Sequence, residues 1–246
     1  MPTPKLYEFP VSHYCEKIRW ALDYKAIAYQ RVCLVPVLHV PIMLALSRQT
    51  QVPLLQLGDR RITHSPHILA ALEAYFVERP SLMPEDNDDG NKALELCSFF
   101  DKDIGIHLRR LAYFYALPDR AYMQALLSAE QSAMSRALVR HTLPVITRIM
   151  ARSMGINAAN YDKSLVKFNA AVDRLDAAIQ PSGYLVGKQF SIADLTAAAL
   201  LSPLVQPEKS LYATVPNTPP AFHAFCASYA QRPFFKWVQN MYHKHR

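Results

Sequence analysis

The sequence predicts a two-domain protein in which an α/β domain is followed by an all-α domain. In the first third of the chain, short strand-like runs alternate with amphipathic helix patterns. A stretch rich in proline and acidic residues, Arg79–Asn91, interrupts this periodicity, and nearly everything beyond it has helical spacing of apolar residues. With 246 residues, of which 51% are hydrophobic, the chain can build two cores.

The elements of the first domain follow one another in the order βαβαββα. The predicted elements, in chain order, are strand Lys5–Phe9, helix Ser12–Lys25, strand Gln30–Val35, helix Pro41–Ser47, a hairpin that turns at Gly58-Asp59, and a helix that Ser65 caps before Pro66. A strand–helix–strand opening followed by a hairpin and a closing helix predicts a mixed four-stranded sheet flanked by helices.

The second domain is predicted to be entirely helical. Amphipathic runs are expected at Lys92–Ala116, Asp119–Ser153, Tyr161–Ile179, Ile192–Leu201 and Pro220–His243. Pro144 should kink or divide the second of these runs. We therefore place the first domain at residues 1–79, a linker at 80–90 and the helical domain at 91–246. Ser191 and Asp194 have the spacing of a capping box at the start of the fourth run.

The distribution of charge and of apolar residues argues against a nucleic-acid-binding protein and against a membrane-spanning protein. The net charge is +7, but the basic residues are spread along the chain and no nucleic-acid-binding motif accompanies them. This favours small anionic ligands over nucleic acid. No apolar run approaches the roughly 18 residues of a membrane span, and no signal-peptide pattern is visible. The four cysteines are scattered, mostly in apolar contexts, so we expect a cytoplasmic protein.

The junction between the first strand and the first helix carries the segment Ser12-His13-Tyr14-Cys15. Redox proteins with a thioredoxin-like strand–helix unit place Cys-x-x-Cys at such a junction. Here a serine replaces the first cysteine, so Cys15 has no partner for a local disulfide. No metal site is expected either, because the paired histidines of the chain lack cysteine or carboxylate companions at ligand spacing.

Five segments in register resemble the cytosolic glutathione transferase superfamily. They are "FPVSHYCEKIRWAL", "QVPLL", "THSPHILAALE", "GYLVGKQFSIADL" and "RPFFKWV". The resemblance covers almost the whole chain and indicates a serine-type, theta- or zeta-like bacterial member. It implies a thioredoxin-like domain that binds glutathione, a helical domain that completes a hydrophobic pocket, a homodimer and a role in detoxification. Glutathione would be a co-substrate, and no metal is implied.

In this resemblance Ser12 is similar in position to the catalytic hydroxyl of serine-type members. A serine hydroxyl can donate a hydrogen bond to the glutathione thiolate, and the helix N-terminus adds positive potential. A drop of two units from a thiol pKa of about 8.5 makes most of the thiol ionised at neutral pH. The implied activity is conjugation of glutathione to a small hydrophobic electrophile. The alternative is that Ser12 only caps the helix.

The resemblance also implies the residues that bind glutathione. They are His39, Gln51, Val52, Pro53, His64 and Ser65. Val52 would pair its backbone with the tripeptide, its orientation set by a cis bond to Pro53. Ser65 would bind the γ-glutamyl carboxylate at the helix N-terminus. His64 stands where Glu or Gln is common and Gln51 where Lys is common, and Asp101 or Asp103 could supply the missing acid across the dimer.

Four alternatives to this assignment remain open at the level of the sequence. Tyr113 and Phe114 are expected to line the hydrophobic pocket, although core packing is an alternative for each of them. Tyr7 could replace Ser12, because other classes of the superfamily use a strand tyrosine. A glutathione-dependent reductase using Cys15, or a binding protein without turnover, would keep the same fold.

Overall fold

The structure is a computed structural model that describes residues 2–246. A mixed sheet of four strands forms the centre of the first domain, with β1 (Lys5–Glu8), β2 (Gln30–Cys33), β3 (Leu54–Leu57) and β4 (Arg60–Thr63). The strand order is β2-β1-β3-β4, in which β1 is parallel to β2 and antiparallel to β3. Gly58 turns the hairpin with a φ of +58°, which glycine adopts without steric cost. The predicted topology is confirmed.

Three helices flank the sheet: α1 (His13–Tyr24), α2 (Val40–Ser47) and α3 (Ser65–Tyr75). Helix α1 packs against α3. Ile18 of α1 and Leu6 of β1 are both fully buried in the same core cluster. The thioredoxin-like arrangement of the first domain is therefore built as the sequence predicted.

The N-terminus of α3 differs from the prediction. Ser65 is the first residue of the helix, and His64, with φ of 64° and ψ of 124°, occupies the N-cap position. The assignment of Ser65 as the cap is therefore wrong, and Pro66 stands at the second helical position. Its missing N–H has no intrahelical partner there in any case, so the proline is still well tolerated.

The second domain consists of helices, as predicted. They are α4 (Asn87–Phe100), α5 (Ile106–Ala116), α6 (Arg120–Ser128), α7 (Ala133–Ser153), α8 (Ala158–Ala178), α9 (Ile192–Val205), α10 (Pro220–Ala227) and α11 (Pro233–His245). A π-helical turn, Asp101–Gly105, joins α4 to α5. Helix α4 begins inside the predicted linker because the Asp86 side chain accepts a hydrogen bond from Asp89 N at 3.0 Å and caps it.

The run predicted at Asp119–Ser153 is divided, but not at Pro144. The break lies between α6 and α7, where Glu130 has a φ of 55° and Ser132 caps α7 by accepting a hydrogen bond from Ser135 N. Helix α7 continues through Pro144. One proline removes a single backbone hydrogen bond, which the packing of a long helix can offset.

Helix α9 is the buried centre of the second domain, since every one of its residues is buried. Ser191 Oγ accepts a hydrogen bond from Ala193 N at 3.3 Å, and Asp194 accepts one from Ser191 N at 2.8 Å. The predicted capping box is therefore confirmed. Asp194 also accepts from Leu185 N at 2.8 Å, which ties the preceding loop to the helix start.

The two domains meet where α1 packs against α9 and where its side chains bind Asp101 of the π-helical turn. Tyr14 Oη donates a hydrogen bond to the backbone carbonyl of Asp101 at 2.6 Å. The tyrosine crosses the backbone at Gly105, where a Cβ atom would lie 2.2 Å from Tyr14 Oη. Only glycine permits this close approach, so the start of α5 is held at a defined position relative to α1.

Candidate active site

A cavity of about 940 Å³ lies between the two domains. Its wall comes from the ends of β1, α2 and β4 in the first domain and from α5, α6 and α7 in the second. The wall includes eight of the nine site residues expected from the sequence, namely Ser12, His39, Gln51, Val52, Pro53, His64, Ser65 and Tyr113. Most of the wall is apolar, which suits a cleft that holds a small organic ligand.

Ser12 lies on this wall at the N-cap of α1. Its Oγ accepts a hydrogen bond from Cys15 N at 3.3 Å, and its backbone is extended, with φ of −82° and ψ of 121°. The hydroxyl is also within reach of the buried Cys15 thiol, whose pKa it lowers against the larger rise caused by burial. The two roles considered for Ser12 are thus compatible: the oxygen caps the helix while the O–H remains able to donate into the cavity.

A buried ion network holds the loop that leads to Ser12. Arg19 donates from Nη2 to the backbone carbonyl of Pro10 at 2.9 Å and pairs with both Glu8 and Glu16. Ser12 N donates to Phe9 O at 3.0 Å. Because Arg19, Glu8 and Glu16 are almost completely buried, these contacts fix the position of the loop and of the hydroxyl at its end.

The segment before β3 presents its backbone to the cavity. The peptide bond between Val52 and Pro53 is cis, as the sequence led us to expect. Gln51 is exposed, and its backbone N–H and carbonyl are both engaged by the Gln49 side chain at 3.2 Å. The predicted pairing of Val52 with a ligand backbone stays a prediction.

His39 lies on the wall but already has a partner. Its Nε2 is 2.7 Å from Thr50 O, and because a carbonyl only accepts, Nε2 carries the hydrogen of this bond. His39 Nδ1 is buried without a partner, and burial lowers the pKa of His39. The ring is therefore neutral at neutral pH, and its contact with a ligand carboxylate would require it to leave Thr50.

The start of α3 offers the features of an anion site. Ser65 is buried and lies on the wall, while His64 and His67 are exposed beside it with ring centroids 5.8 Å apart. The first backbone N–H groups of a helix have no intrahelical partner. Asp101, considered as an acid that reaches a partner subunit, instead accepts from Lys17 within its own chain.

Only one of the two aromatic residues assigned to the hydrophobic pocket lies on the cavity wall. Tyr113 lines the cavity, and burial raises its pKa to about 12. Phe114 does not line it and packs against Tyr161 with ring centroids 4.4 Å apart. The structure corrects the assignment of Phe114, because neighbouring helical residues point about 100° apart.

The wall residues that were not found from the sequence include Arg109, Tyr122, Met150 and Tyr212. Arg109 follows Ile106 by one helical turn and precedes Tyr113 by another, so a periodic reading of α5 could have identified it. Tyr212 donates from Oη to the backbone carbonyl of Val11 and thereby connects the loop before Ser12 to the second domain.

The structure gives no support to Cys15 or Tyr7 as the reacting group. Cys15 is fully buried, and burial raises the pKa of its thiol to about 12. Tyr7 donates from Oη to Gln56 Oε1 at 3.2 Å and is not part of the cavity wall. A reactive thiol requires access and a low pKa, and Cys15 has neither.

Residues 2–246 contain no group of three or more His, Cys, Asp or Glu residues that could hold a metal ion. No helix within the same residues is long and apolar enough to cross a membrane.

Two protein-family models match this chain. The model of the glutathione S-transferase N-terminal domain matches residues 6–80, and that of the glutathione S-transferase C-terminal domain matches residues 158–228. This chain belongs to the glutathione transferase superfamily. The helical hairpin formed by α6 and α7 lies between the two matched regions, and it supplies Tyr122 and Met150 to the cavity wall.

Solved structures of similar fold include several members of the superfamily. The β-etherase LigF of Sphingobium sp. strain SYK-6 is 21% identical, with a TM-score of 0.64 and coverage of 98% of this chain and 99% of that chain. A glutathione S-transferase of Methylobacterium radiotolerans in complex with glutathione sulfonate is 19% identical, with a TM-score of 0.58 and coverage of 95% and 93%. At this identity the likeness shows the fold.

A curated relative, prostaglandin E synthase 2 of Mus musculus, is 29% identical over 104 residues. The matched part amounts to 38% of this chain and 27% of that protein, so the chain spans about a quarter of the relative's length. The match therefore adds no activity or substrate to the superfamily assignment.

Proposed function

We propose that this protein is a glutathione transferase in which Ser12 activates the glutathione thiol for attack on a small hydrophobic electrophile. The observation that carries the proposal is the position of Ser12, which lies on the cavity wall as the N-cap of α1 and whose O–H can rotate to donate to a ligand. A donor and the positive end of a helix both favour a thiolate over a thiol.

The proposed reaction has two steps. The thiol proton leaves to solvent, and Ser12 Oγ donates a hydrogen bond to the resulting thiolate. The sulfur then attacks the electrophilic carbon, so that a C–S bond forms while the leaving group departs with its electron pair. Ser12 stabilises the attacking anion and forms no covalent bond itself.

The remaining site residues would bind the tripeptide. Ser65 and the first N–H groups of α3 would hold the γ-glutamyl carboxylate, and the backbone of Val52 would pair with the cysteinyl residue. His64, Gln51 and His39 would lie beside the two ends of the ligand. A homodimer, a cytoplasmic location and a role in detoxification belong to this proposal as well.

The decisive experiment compares glutathione-dependent conjugation of a neutral aryl halide by the wild type and by Ser12→Ala. We expect kcat/KM to fall by about 100-fold, as for a lost donor to a reacting anion, and the pH at which the rate rises to move upward. Ser132→Ala is the matched control, because Ser132 also caps a helix through its hydroxyl but lies outside the cavity. Equal rates for wild type and Ser12→Ala would remove Ser12 from the mechanism.

A second candidate is a ligand-binding protein without turnover. The observation that favours it is the engagement of His39 with Thr50 at 2.7 Å, together with a neutral Gln51 in place of a cation, which leaves one end of glutathione with weak contacts. Titration calorimetry separates the two. Binding of an apolar ligand without measurable glutathione affinity would favour this candidate.

A further inference from the structure

Arg109 is a cation on the cavity wall without an anionic partner. It lies on α5, and among residues 2–246 its side chain takes part in no hydrogen bond and no ion pair. Its neighbour Arg110 is fully engaged by contrast, donating to Ser164 Oγ at 2.8 Å and to Met154 O at 3.2 Å. Arg109 is also partly buried, and a partly desolvated guanidinium gains from an anion in contact with it.

The rest of the wall does not neutralise this charge. Among residues 2–246, Asp101 is the one carboxylate on the wall, and both of its oxygens accept from Lys17 Nζ at 2.9 Å. His13 lies close enough to Arg109 for the positive charge to contribute, after burial, to the lowering of its pKa. The cavity therefore carries an uncompensated positive charge.

The surroundings of Arg109 are those of an organic ligand. Ile106, Arg109, Ala112, Tyr113 and Ala116 recur at helical spacing along α5 and all lie on the wall. Further apolar side chains of the wall come from the α6–α7 hairpin, namely Leu126, Ile149 and Met150. A ligand in this half of the cavity meets an apolar surface with a single fixed cation in it.

We propose that Arg109 binds an anionic substituent of the electrophile, so that the preferred second substrate is an apolar molecule that carries a carboxylate. A guanidinium presents paired N–H donors that match a carboxylate, which makes arginine suited to such recognition. This inference rests on the proposed function, because it names the substrate class of the same site. The glutathione-binding candidates lie on the other half of the wall, in the first domain.

A matched pair of probes tests the proposal: 4-(chloromethyl)benzoate and its neutral methyl ester. In both, the glutathione sulfur forms a bond to the benzylic carbon, chloride departs with the bonding electrons and the thiol proton goes to solvent. We expect Arg109→Gln to reduce kcat/KM for the carboxylate by roughly 10- to 100-fold, as for a lost hydrogen bond to a charged group. The ester should change by less than about threefold in the same variant.

Arg148→Gln is the control for loss of one positive charge, because Arg148 is exposed on α7 and outside the cavity wall. It should leave both probes unchanged, and Arg109→Lys should restore part of the preference. An equal loss for both probes, or an increase confined to the KM of glutathione, would overturn the proposal, the latter by assigning Arg109 to the tripeptide.

A binding measurement separates this inference from the proposed function. If neither probe is turned over, the proposed function fails, but 4-tert-butylbenzoate can still be titrated into the wild type and Arg109→Gln by calorimetry. Weaker binding of this acid to the variant, with unchanged binding of the corresponding amide, would support the anion site without catalysis. Equal binding of the acid to both proteins would reject it.

Discussion

Lys17 Nζ lies 2.9 Å from each carboxylate oxygen of Asp101 and joins α1 of the first domain to the π-helical turn of the second. The Lys17 side chain is fully buried and that of Asp101 is 13% exposed. Ser12 is the N-cap of the same helix, so this ion pair sets the position of the candidate catalytic hydroxyl relative to the helical wall of the cavity.

Loss of this pair should destabilise the protein strongly. Asp101→Asn leaves the buried ammonium of Lys17 against a neutral amide, and we expect the free energy of unfolding in urea to fall by about 3–5 kcal/mol. The matched control is Glu95→Gln, which removes a pair with Arg174 whose side chains are 68% and 45% exposed. The free energy of unfolding of that variant should fall by less than about 1 kcal/mol. Similar losses in the two variants would show that the buried pair contributes no more than an exposed one.

Gly105→Ala should disturb the contact between the domains. The new Cβ would lie 2.2 Å from Tyr14 Oη and 2.6 Å from its Cζ, so the tyrosine must move from its bond to Asp101. Overpacking of this kind typically costs about 1–3 kcal/mol. Gly90→Ala in α4 is the control, because the atom nearest to the new Cβ would be Met83 Cε at 3.7 Å. We expect this variant to gain about 0.5–1 kcal/mol in the free energy of unfolding.

The cause of the Gly105→Ala effect can be tested in a second background. In Tyr14→Ala the ring is absent, so adding Gly105→Ala should cost much less than it does in the wild type. Thermal unfolding of the wild type, the two single variants and the double variant gives the interaction energy between the two sites. An unchanged cost in the absence of the ring would show that the loss arises from the backbone of the π-helical turn.

Burial of His13 should make stability fall in mild acid. Burial and the charge of Arg109 lower the pKa of His13 to about 3, whereas its unfolded value is about 6.5. The unfolded state thus binds the extra proton first, so this contribution is complete above pH 6.5 and is lost as the pH falls toward 3. Well below pH 6.5, this loss lowers the free energy of unfolding by about 1.4 kcal/mol per pH unit.

The comparison of wild type with His13→Asn isolates this group. His13 Nδ1 lies 3.1 Å from Leu200 O and donates to it, and the asparagine amide can replace that donor without titrating. Urea unfolding between pH 7 and 5 should show a shallower decline of stability in the variant than in the wild type. Parallel curves would mean that His13 titrates normally in the folded protein.

Thiol labelling should separate Cys33 from the other cysteines. Of the four cysteines, Cys33 is partly exposed, whereas Cys15, Cys97 and Cys226 are buried. A disulfide reagent should label one thiol faster than the other three in the native protein, although burial raises the pKa of Cys33. Cys33→Ala should abolish this label, and denaturant should expose all remaining thiols. Rapid labelling of Cys15, or a Cys15–glutathione disulfide in mass spectra, would revive the reductase alternative.

Local signals accounted for much of the fold. The hairpin at Gly58 and the capping box of Ser191 and Asp194 depend on residues close in sequence, and the structure contains both. The cis bond before Pro53 was implied by the superfamily resemblance, and the structure contains it as well. Boundaries were less accurate. Asp86 caps α4 within the predicted linker, and His64 rather than Ser65 occupies the N-cap position of α3, without a side-chain capping bond. Helix ends commonly differ by one or two residues from their expected positions.

The helical wall of the site was harder to predict. The segment Lys92–Ala116 has the pattern of one continuous helix, but the π-helical turn at Asp101–Gly105 inserts extra backbone and rotates the helix that follows. That rotation helps determine that Tyr113 and Arg109 lie on the cavity wall while Phe114 packs against Tyr161. Helical spacing groups residues on a face, but it does not say which face meets the cavity.

The sequence by itself determined the order of the elements, the superfamily resemblance and the position of Ser12 at the start of α1, because strand alternation, helix periodicity and caps are properties of neighbouring residues. The tertiary structure alone decided that Arg109 lacks an anionic partner, that Cys15 is fully buried and that His39 is held by Thr50. Burial, ion pairing and access depend on which distant segments come together, and the chain brings them together only when both domains pack around the cavity.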